Sequence, residues 1–118
     1  MAEGKKTFIN NSGKDITLTL FIREGDSPTD EGGKESYDLG SSAPNNELEV
    51  VYVGEAGSEG YVYLNALLAE WQDGGDKVGV SKRVVTRGDA WDNLLNTNNT
   101  VTIDSLTAGQ LDAAGSNS

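Results

Sequence analysis

The sequence predicts an all-β fold, a small antiparallel β-sandwich of about six or seven strands. Three observations predict it: short stretches rich in β-branched residues, Gly- and Asn-rich turns that recur between them, and a length of 118 residues, which suits one domain. We expect the domain to span residues 1–107. The Ala-, Gly- and Ser-rich residues 108–118 are predicted to form a flexible tail.

The clearest strand is residues 16–24, where Ile16, Leu18 and Leu20 alternate with threonine. It directly follows the polar turn residues 10–15, so we expect residues 7–9 to be its hairpin partner. The alternation ends at the consecutive apolar residues 20–22, which indicates that both faces of the strand are buried there. The pattern therefore predicts a central strand.

The remaining elements follow in chain order. Further strands are predicted, from alternating or β-branched residues bounded by Gly, Pro or Asn, at 36–39, 47–53, 77–86 and 100–103. A short helix is predicted near residues 89–95, because Asp89 is a favoured residue for capping a helix N-terminus.

Residues 61–73 fit two patterns. Leu64, Leu67, Leu68 and Trp71 recur at helical spacing, with Gly74 as a helix stop. The Tyr-Val-Tyr start favours a strand instead, and residues 73–76 suit a hairpin loop leading into the next strand. We interpret the segment as a strand; a helix here would make the fold α+β.

Composition excludes several classes of function. The net charge is −10, from 9 Lys and Arg against 19 Asp and Glu, which disfavours binding to nucleic acid or to an anionic membrane. The absence of Cys and His removes thiolate nucleophiles, cysteine zinc sites and histidine general bases. No apolar run approaches the roughly 20 residues of a membrane span.

The first six residues are not followed by an apolar stretch, so no signal peptide is expected in this chain. A mature secreted protein with an added Met would look the same. Because a domain without Cys is stable in either redox environment, the sequence does not indicate the cellular compartment.

Two acidic loops are candidates for binding calcium, which prefers six to eight oxygen ligands. The candidate ligands are Asp26, Asp30 and Glu31 in the first loop, and Asp73 and Asp76 in the second. Neither loop fits the EF-hand pattern, and Asp is common in solvated turns. Calcium is the only cofactor that the sequence suggests.

Aromatic residues are candidates for binding carbohydrate. Tyr61 and Tyr63 would share one face of a strand, with Trp71 further along the same face. Flat rings offer a large contact area at low entropic cost. The alternative is that these rings are buried in the core, as large aromatic side chains commonly are.

Carboxylates are the residues most suited to acid–base catalysis here. Glu47 and Glu49 are two residues apart on a predicted strand and would share a face, as a glycosidase pair would. Alternating Glu is also the ordinary pattern of a solvent-facing strand. We therefore do not expect an enzyme.

Two short motifs have structural alternatives. Residues 87–89 spell Arg-Gly-Asp, a tripeptide recognised by some adhesion receptors, but Gly88 and Asp89 also suit a turn and a helix cap. Asn10 and Asn98 lie in N-glycosylation acceptor patterns, which matter only along a eukaryotic secretory route.

These observations favour a non-catalytic binding or protein-interaction module that acts through polar loops or an exposed sheet face. Its partner would be another protein or a carbohydrate. The first alternative is a calcium-dependent or carbohydrate-binding accessory domain of a secreted system. The second is a carboxylate-based hydrolase, and the oligomeric state stays open.

Overall fold

A computed structural model describes residues 3–24, 31–43, 45–53, 62–86 and 88–117. These residues form eight strands and one helix. In chain order they are β1 (Glu3–Asn10), β2 (Ile16–Glu24), β3 (Glu31–Leu39), β4 (Glu47–Val53), β5 (Val62–Asp73), β6 (Asp76–Arg83), α1 (Ala90–Asn96), β7 (Thr100–Thr107) and β8 (Gln110–Ser116).

The strands form two four-stranded sheets. Sheet A has the order β4-β1-β7-β8, and sheet B has the order β3-β2-β5-β6. The predicted small all-β, sandwich-like fold is confirmed, with eight strands where we expected six or seven. The expectation of a wholly antiparallel fold is wrong, because β1 pairs in parallel with β7. A parallel pair needs a long connection, and all of sheet B with α1 lies between these two strands.

Strand β2 does not form a hairpin with β1, which corrects that prediction. β1 pairs with β4 and β7, whereas β2 pairs with β3 and β5. Residues 11–15 therefore carry the chain from sheet A to sheet B. β2 is central in its sheet, as predicted, and its core-facing side chains are Ile16, Leu18, Leu20 and Ile22.

Residues 62–73 are a strand, so the α+β alternative is wrong. The register with β2 shifts between Phe21 and Ile22, opposite Ala66 and Leu64, which leaves Asn65 as the extra residue of a bulge. This bulge changes the alternation along β5. Leu64 and Leu67 consequently both lie in the core, although a regular strand would place them on opposite faces.

The predicted hairpin loop and helix cap are both confirmed. Gly74 and Gly75 connect β5 to β6 with φ values of 62° and 93°, a conformation that strongly favours glycine in two-residue hairpins. Asp89 precedes α1, and its Oδ1 accepts a hydrogen bond of 2.8 Å from the backbone N–H of Asp92. The helix packs Trp91 and Leu95 into the core.

The prediction of a flexible tail is wrong for residues 110–116, which form β8 and pair with β7. Small residues suggested disorder, but Leu111 anchors the strand because its side chain is buried in the core. The Asn117 side chain also accepts a hydrogen bond of 2.9 Å from the backbone N–H of Asn99. Across the described ranges, no helix is long and apolar enough to cross a membrane.

Candidate functional site

A cleft of about 620 Å³ opens at one end of the sandwich, which we call the cleft end. It lies between the start of β2, the end of β3 and the end of β5 in sheet B, and the start of β4 in sheet A. The apolar side chains that line it are Ile16, Leu39, Leu48 and Trp71, and three of these belong to the buried core. The cleft therefore has an apolar floor continuous with the interior.

The side chain of Asn10 fixes the loops around this cleft. Asn10 is fully buried, and its Nδ2 donates hydrogen bonds to the carbonyl oxygens of Lys14 at 2.7 Å and Gly40 at 2.9 Å. Its Oδ1 accepts from the Ser12 backbone N–H at 3.0 Å. One amide thus joins the end of β1 to two loops that would otherwise leave buried carbonyl groups unpaired.

The second of these loops depends on a close approach of the chain at Gly40. Its N–H donates to the carbonyl oxygen of Asn45 at 2.8 Å. A Cβ placed on Gly40 would lie 2.9 Å from the Cβ of Asn45, closer than such atoms approach. The loop is further held by Asp15, whose Oδ1 accepts from the Ser41 N–H at 2.8 Å. These contacts define the shape of the opening.

Charge around the opening is mostly negative. The ionisable side chains that line the cleft are four carboxylates and one ammonium group, from Asp15, Asp38, Glu47, Glu70 and Lys77. Lys77 Nζ lies 3.2 Å from an oxygen of Glu70, so this ammonium group is engaged within the rim. Carboxylates gathered beside a low-dielectric wall focus a negative potential, which attracts cationic groups.

Trp71 is the aromatic residue of the cleft. Its side chain is only 6% exposed, and the ammonium group of Lys14 lies 5.8 Å from the ring centroid. That distance is within the range of a cation–π interaction. The ring therefore already contacts a cation of its own chain. Only a small part of the ring is exposed, at the floor of the cleft, so the ring does not offer an open face to a ligand.

The structure does not bring the predicted carbohydrate-binding residues together. Trp71 lines the cleft and belongs to the core. Tyr63 lies eight residues earlier on β5, about 26 Å away along the strand, and on its outer face because its neighbour Leu64 is buried. Tyr61 lies outside the described residues.

The predicted calcium ligands are also separate. Asp73 and Asp76 are an exposed pair on either side of the Gly74–Gly75 turn. Asp26 and Asp30 lie outside the described residues, and Glu31 begins β3. Within the part of the chain that the structure describes, no three Asp or Glu residues are grouped as metal ligands would be. Calcium binding by either loop stays a prediction.

Glu47 and Glu49 are exposed on the outer face of sheet A. Glu47 reaches the rim of the cleft and also lines a second hollow of about 440 Å³, which Glu49 lines as well. Glu49 lies 3.5 Å from the ammonium group of Lys5. The two carboxylates thus share one hollow, and only Glu47 also reaches the cleft. Carboxylate-based hydrolysis stays a prediction.

The Arg-Gly-Asp segment follows β6 at the opposite end of the molecule. Both carboxylate oxygens of Asp89 accept backbone hydrogen bonds, from Asp92 at 2.8 Å and from Thr86 at 3.2 Å. These bonds, that from Asp92 first, hold the pKa of Asp89 below its usual value. Arg87 lies outside the described residues. The carboxylate therefore serves the helix cap.

The two acceptor patterns for glycosylation have structural uses as well. Asn10 is fully buried, which keeps its amide from solvent in the folded chain. Asn98 donates to the carbonyl oxygen of Leu94 at 3.1 Å, and its side chain fills the space beside Gly115. Both asparagines hold connections between elements.

Reasoning from the sequence missed the cleft, because its residues come from five separate segments of the chain. One feature of the sequence could have indicated the cleft: Asp15, Asp38 and Glu47 each lie at a boundary between a strand and a turn. Comparison with protein-family models, curated proteins and solved structures found no match to this chain. Any function assigned to it therefore rests on its own residues.

Proposed function

We propose that this protein is a non-catalytic binding module whose cleft receives a segment of a protein partner. The cleft itself is the observation that carries the proposal: an apolar floor of buried side chains under a rim of four carboxylates. Concave sites with an apolar lining and a few polar groups are typical ligand sites. Such a site suits an apolar side chain with Lys or Arg beside it.

The rigidity of the surrounding loops supports this role. Asn10 and Asp15 hold the loops on one side by hydrogen bonds of 2.7–3.0 Å. A preformed site loses little conformational entropy on binding, which favours affinity. The partner would then be recognised without a large rearrangement of the module.

The test is binding to arrays of peptides in which an apolar residue is flanked by Lys or Arg, with neutral peptides alongside. We expect binding to the cationic peptides and a loss of roughly tenfold or more in affinity for Glu47→Lys. Glu49→Lys is the matched control, because Glu49 is two residues along the same strand but outside the cleft. Absence of binding, or equal losses in both variants, would contradict the proposal.

Carbohydrate is a second candidate ligand, favoured by the presence of Trp71 in a cleft rich in carboxylate acceptors. Carboxylates accept hydrogen bonds from hydroxyl groups, and an aromatic ring provides apolar contact. An array of neutral oligosaccharides tests it. Binding that weakens in Trp71→Phe and not in Trp91→Phe, which alters the other tryptophan, would favour carbohydrate over peptide.

A further inference from the structure

The end of the molecule opposite the cleft carries an exposed apolar side chain. Val85 follows β6 and is 81% exposed, compared with 49% for Val51, the other large apolar side chain exposed among the described residues. A solvated valine needs no explanation by itself. Its surroundings give it significance, because the cationic residues Lys82 and Arg83 lie three and two positions before it.

Lys82 and Arg83 are both held over aromatic rings. The Lys82 ammonium group lies 4.8 Å from the ring centroid of Trp91, and the Arg83 guanidinium lies 5.3 Å from that of Phe21. The Trp91 Nε1 also donates to the carbonyl oxygen of Lys82 at 3.0 Å, which fixes the end of β6. Lys82 pairs with the core-facing Leu67, and Arg83 pairs with Ala66 beside Phe21, so the two cations lie on opposite faces at the end of the strand that leads to Val85.

This surface is complementary to the cleft but distant from it. Lys77 lies in the cleft at the start of β6, and Arg83 ends the same strand six residues later, about 20 Å away. Because β6 is paired with β5 along its whole length, one copy cannot fold its own residues 82–86 into its own cleft. The two surfaces can meet only between copies.

We propose that the cleft receives residues 82–86 of a second copy of this chain, an inference that rests on the binding role proposed for the cleft. Val85 contacts the apolar floor, and Lys82 and Arg83 face the carboxylates of the rim. Because the two surfaces differ, the contact is heterologous. However many copies are joined, one cleft stays empty at one end, and one set of residues 82–86 stays unbound at the other. Repetition of such a contact gives open head-to-tail chains.

The experiment is sedimentation velocity of the full chain over a wide range of concentration. We expect self-association in the wild type, and a weakening of roughly tenfold or more in both Val85→Asp and Glu47→Lys. Each variant retains one intact surface, so an equimolar mixture of the two should form dimers and nothing larger. Val51→Asp, which changes the other exposed valine, is the control and should associate as the wild type does.

Several outcomes would overturn the head-to-tail contact. They are a monomeric wild type at every concentration, self-association unaffected by Val85→Asp, and a mixture of the two variants that does not dimerise. Thermal unfolding of each variant establishes that it is folded before its association is compared. A monomeric wild type that still binds cationic peptides through Glu47 would contradict self-association but leave the proposed binding role standing.

Discussion

The two ends of the sandwich are built differently, although asparagine side chains organise both. At the end where α1 packs, which we call the helix end, Trp91 and Leu95 fill the space between the sheets. At the cleft end, the loops are fixed around Asn10, and none of the described residues there forms a helix over the core. The same kind of amide contact thus closes one end and holds the other open.

At the helix end, the Asn96 amide pairs with a backbone group of the bulged strand β5. Its Oδ1 accepts from the N–H of Leu64 at 2.8 Å, and its Nδ2 donates to the carbonyl oxygen of Leu64 at 2.9 Å. Nδ2 also donates to Asp92 Oδ1 at 2.7 Å. The helix is thereby fixed to the strand, and the end is closed.

The largest expected loss in the free energy of unfolding comes from a substitution at the cleft end. Asn10→Ala should lower the free energy of unfolding by roughly 3–5 kcal/mol, because several buried backbone groups lose their partner at once. Urea denaturation measures it. The neighbouring Asn11→Ala changes an exposed side chain and should have little effect. Similar values for both variants would show that Asn10 does not organise this end.

A smaller effect is expected from Asn96→Ala at the helix end, a loss of roughly 1–3 kcal/mol in the free energy of unfolding. Asn96→Asp should be at least as damaging, because a carboxylate would then face Asp92 and could not donate to Leu64. Asn93→Ala, on the exposed side of the helix, is the control in the same denaturation experiment. An innocuous Asn96→Asp would contradict the amide pairing.

The last expected effect is a dependence on pH that comes from Lys6, also towards the helix end. Its ammonium group donates to the carbonyl oxygen of Asn98, and burial lowers the pKa of this lysine from 10.5 to about 8. Between these values the unfolded chain binds more protons than the folded chain. The contribution of Lys6 to the free energy of unfolding should therefore rise from pH 8 to 10.5 and stay constant below pH 8.

Urea denaturation at a series of pH values checks this expectation. The rise attributable to Lys6 is the difference between the wild type and Lys6→Met, in which it should be absent. Lys5→Met is the matched control, since Lys5 is the exposed neighbour on the same strand. An unchanged profile in Lys6→Met would mean that the buried amine does not titrate in this range.

Local features of the fold could be predicted from the sequence, because they depend on neighbouring residues. The alternation of residues 16–20, the glycines at 74 and 75 and the cap at Asp89 each specify their own conformation. Strand pairing could not be predicted in the same way. The turn at residues 10–15 looks like a hairpin, and only the distant partner at Gly40 makes Asn10 a connection between sheets.

The same limit applies to the cleft and to the C-terminal strand. Asp38 and Glu70 lie on different strands, and no spacing along the chain indicates that they line one opening. Residues 110–116 are mostly small and polar, yet Leu111 is buried in the core and Ala113 packs against it once β7 is in place. Long-range packing decides both cases.

The parallel pairing of β1 with β7 also has a consequence for the order of assembly. β1 lies between β4 and β7, and Thr100 is made 90 residues after Asn10. During synthesis, one edge of β1 therefore stays unpaired until residues 100–107 leave the ribosome. Such non-local pairing slows folding and prolongs the exposure of strand edges that can aggregate. All four strands of sheet B lie within residues 16–83, with only β4 of sheet A between them, so sheet B can form before β7 is made.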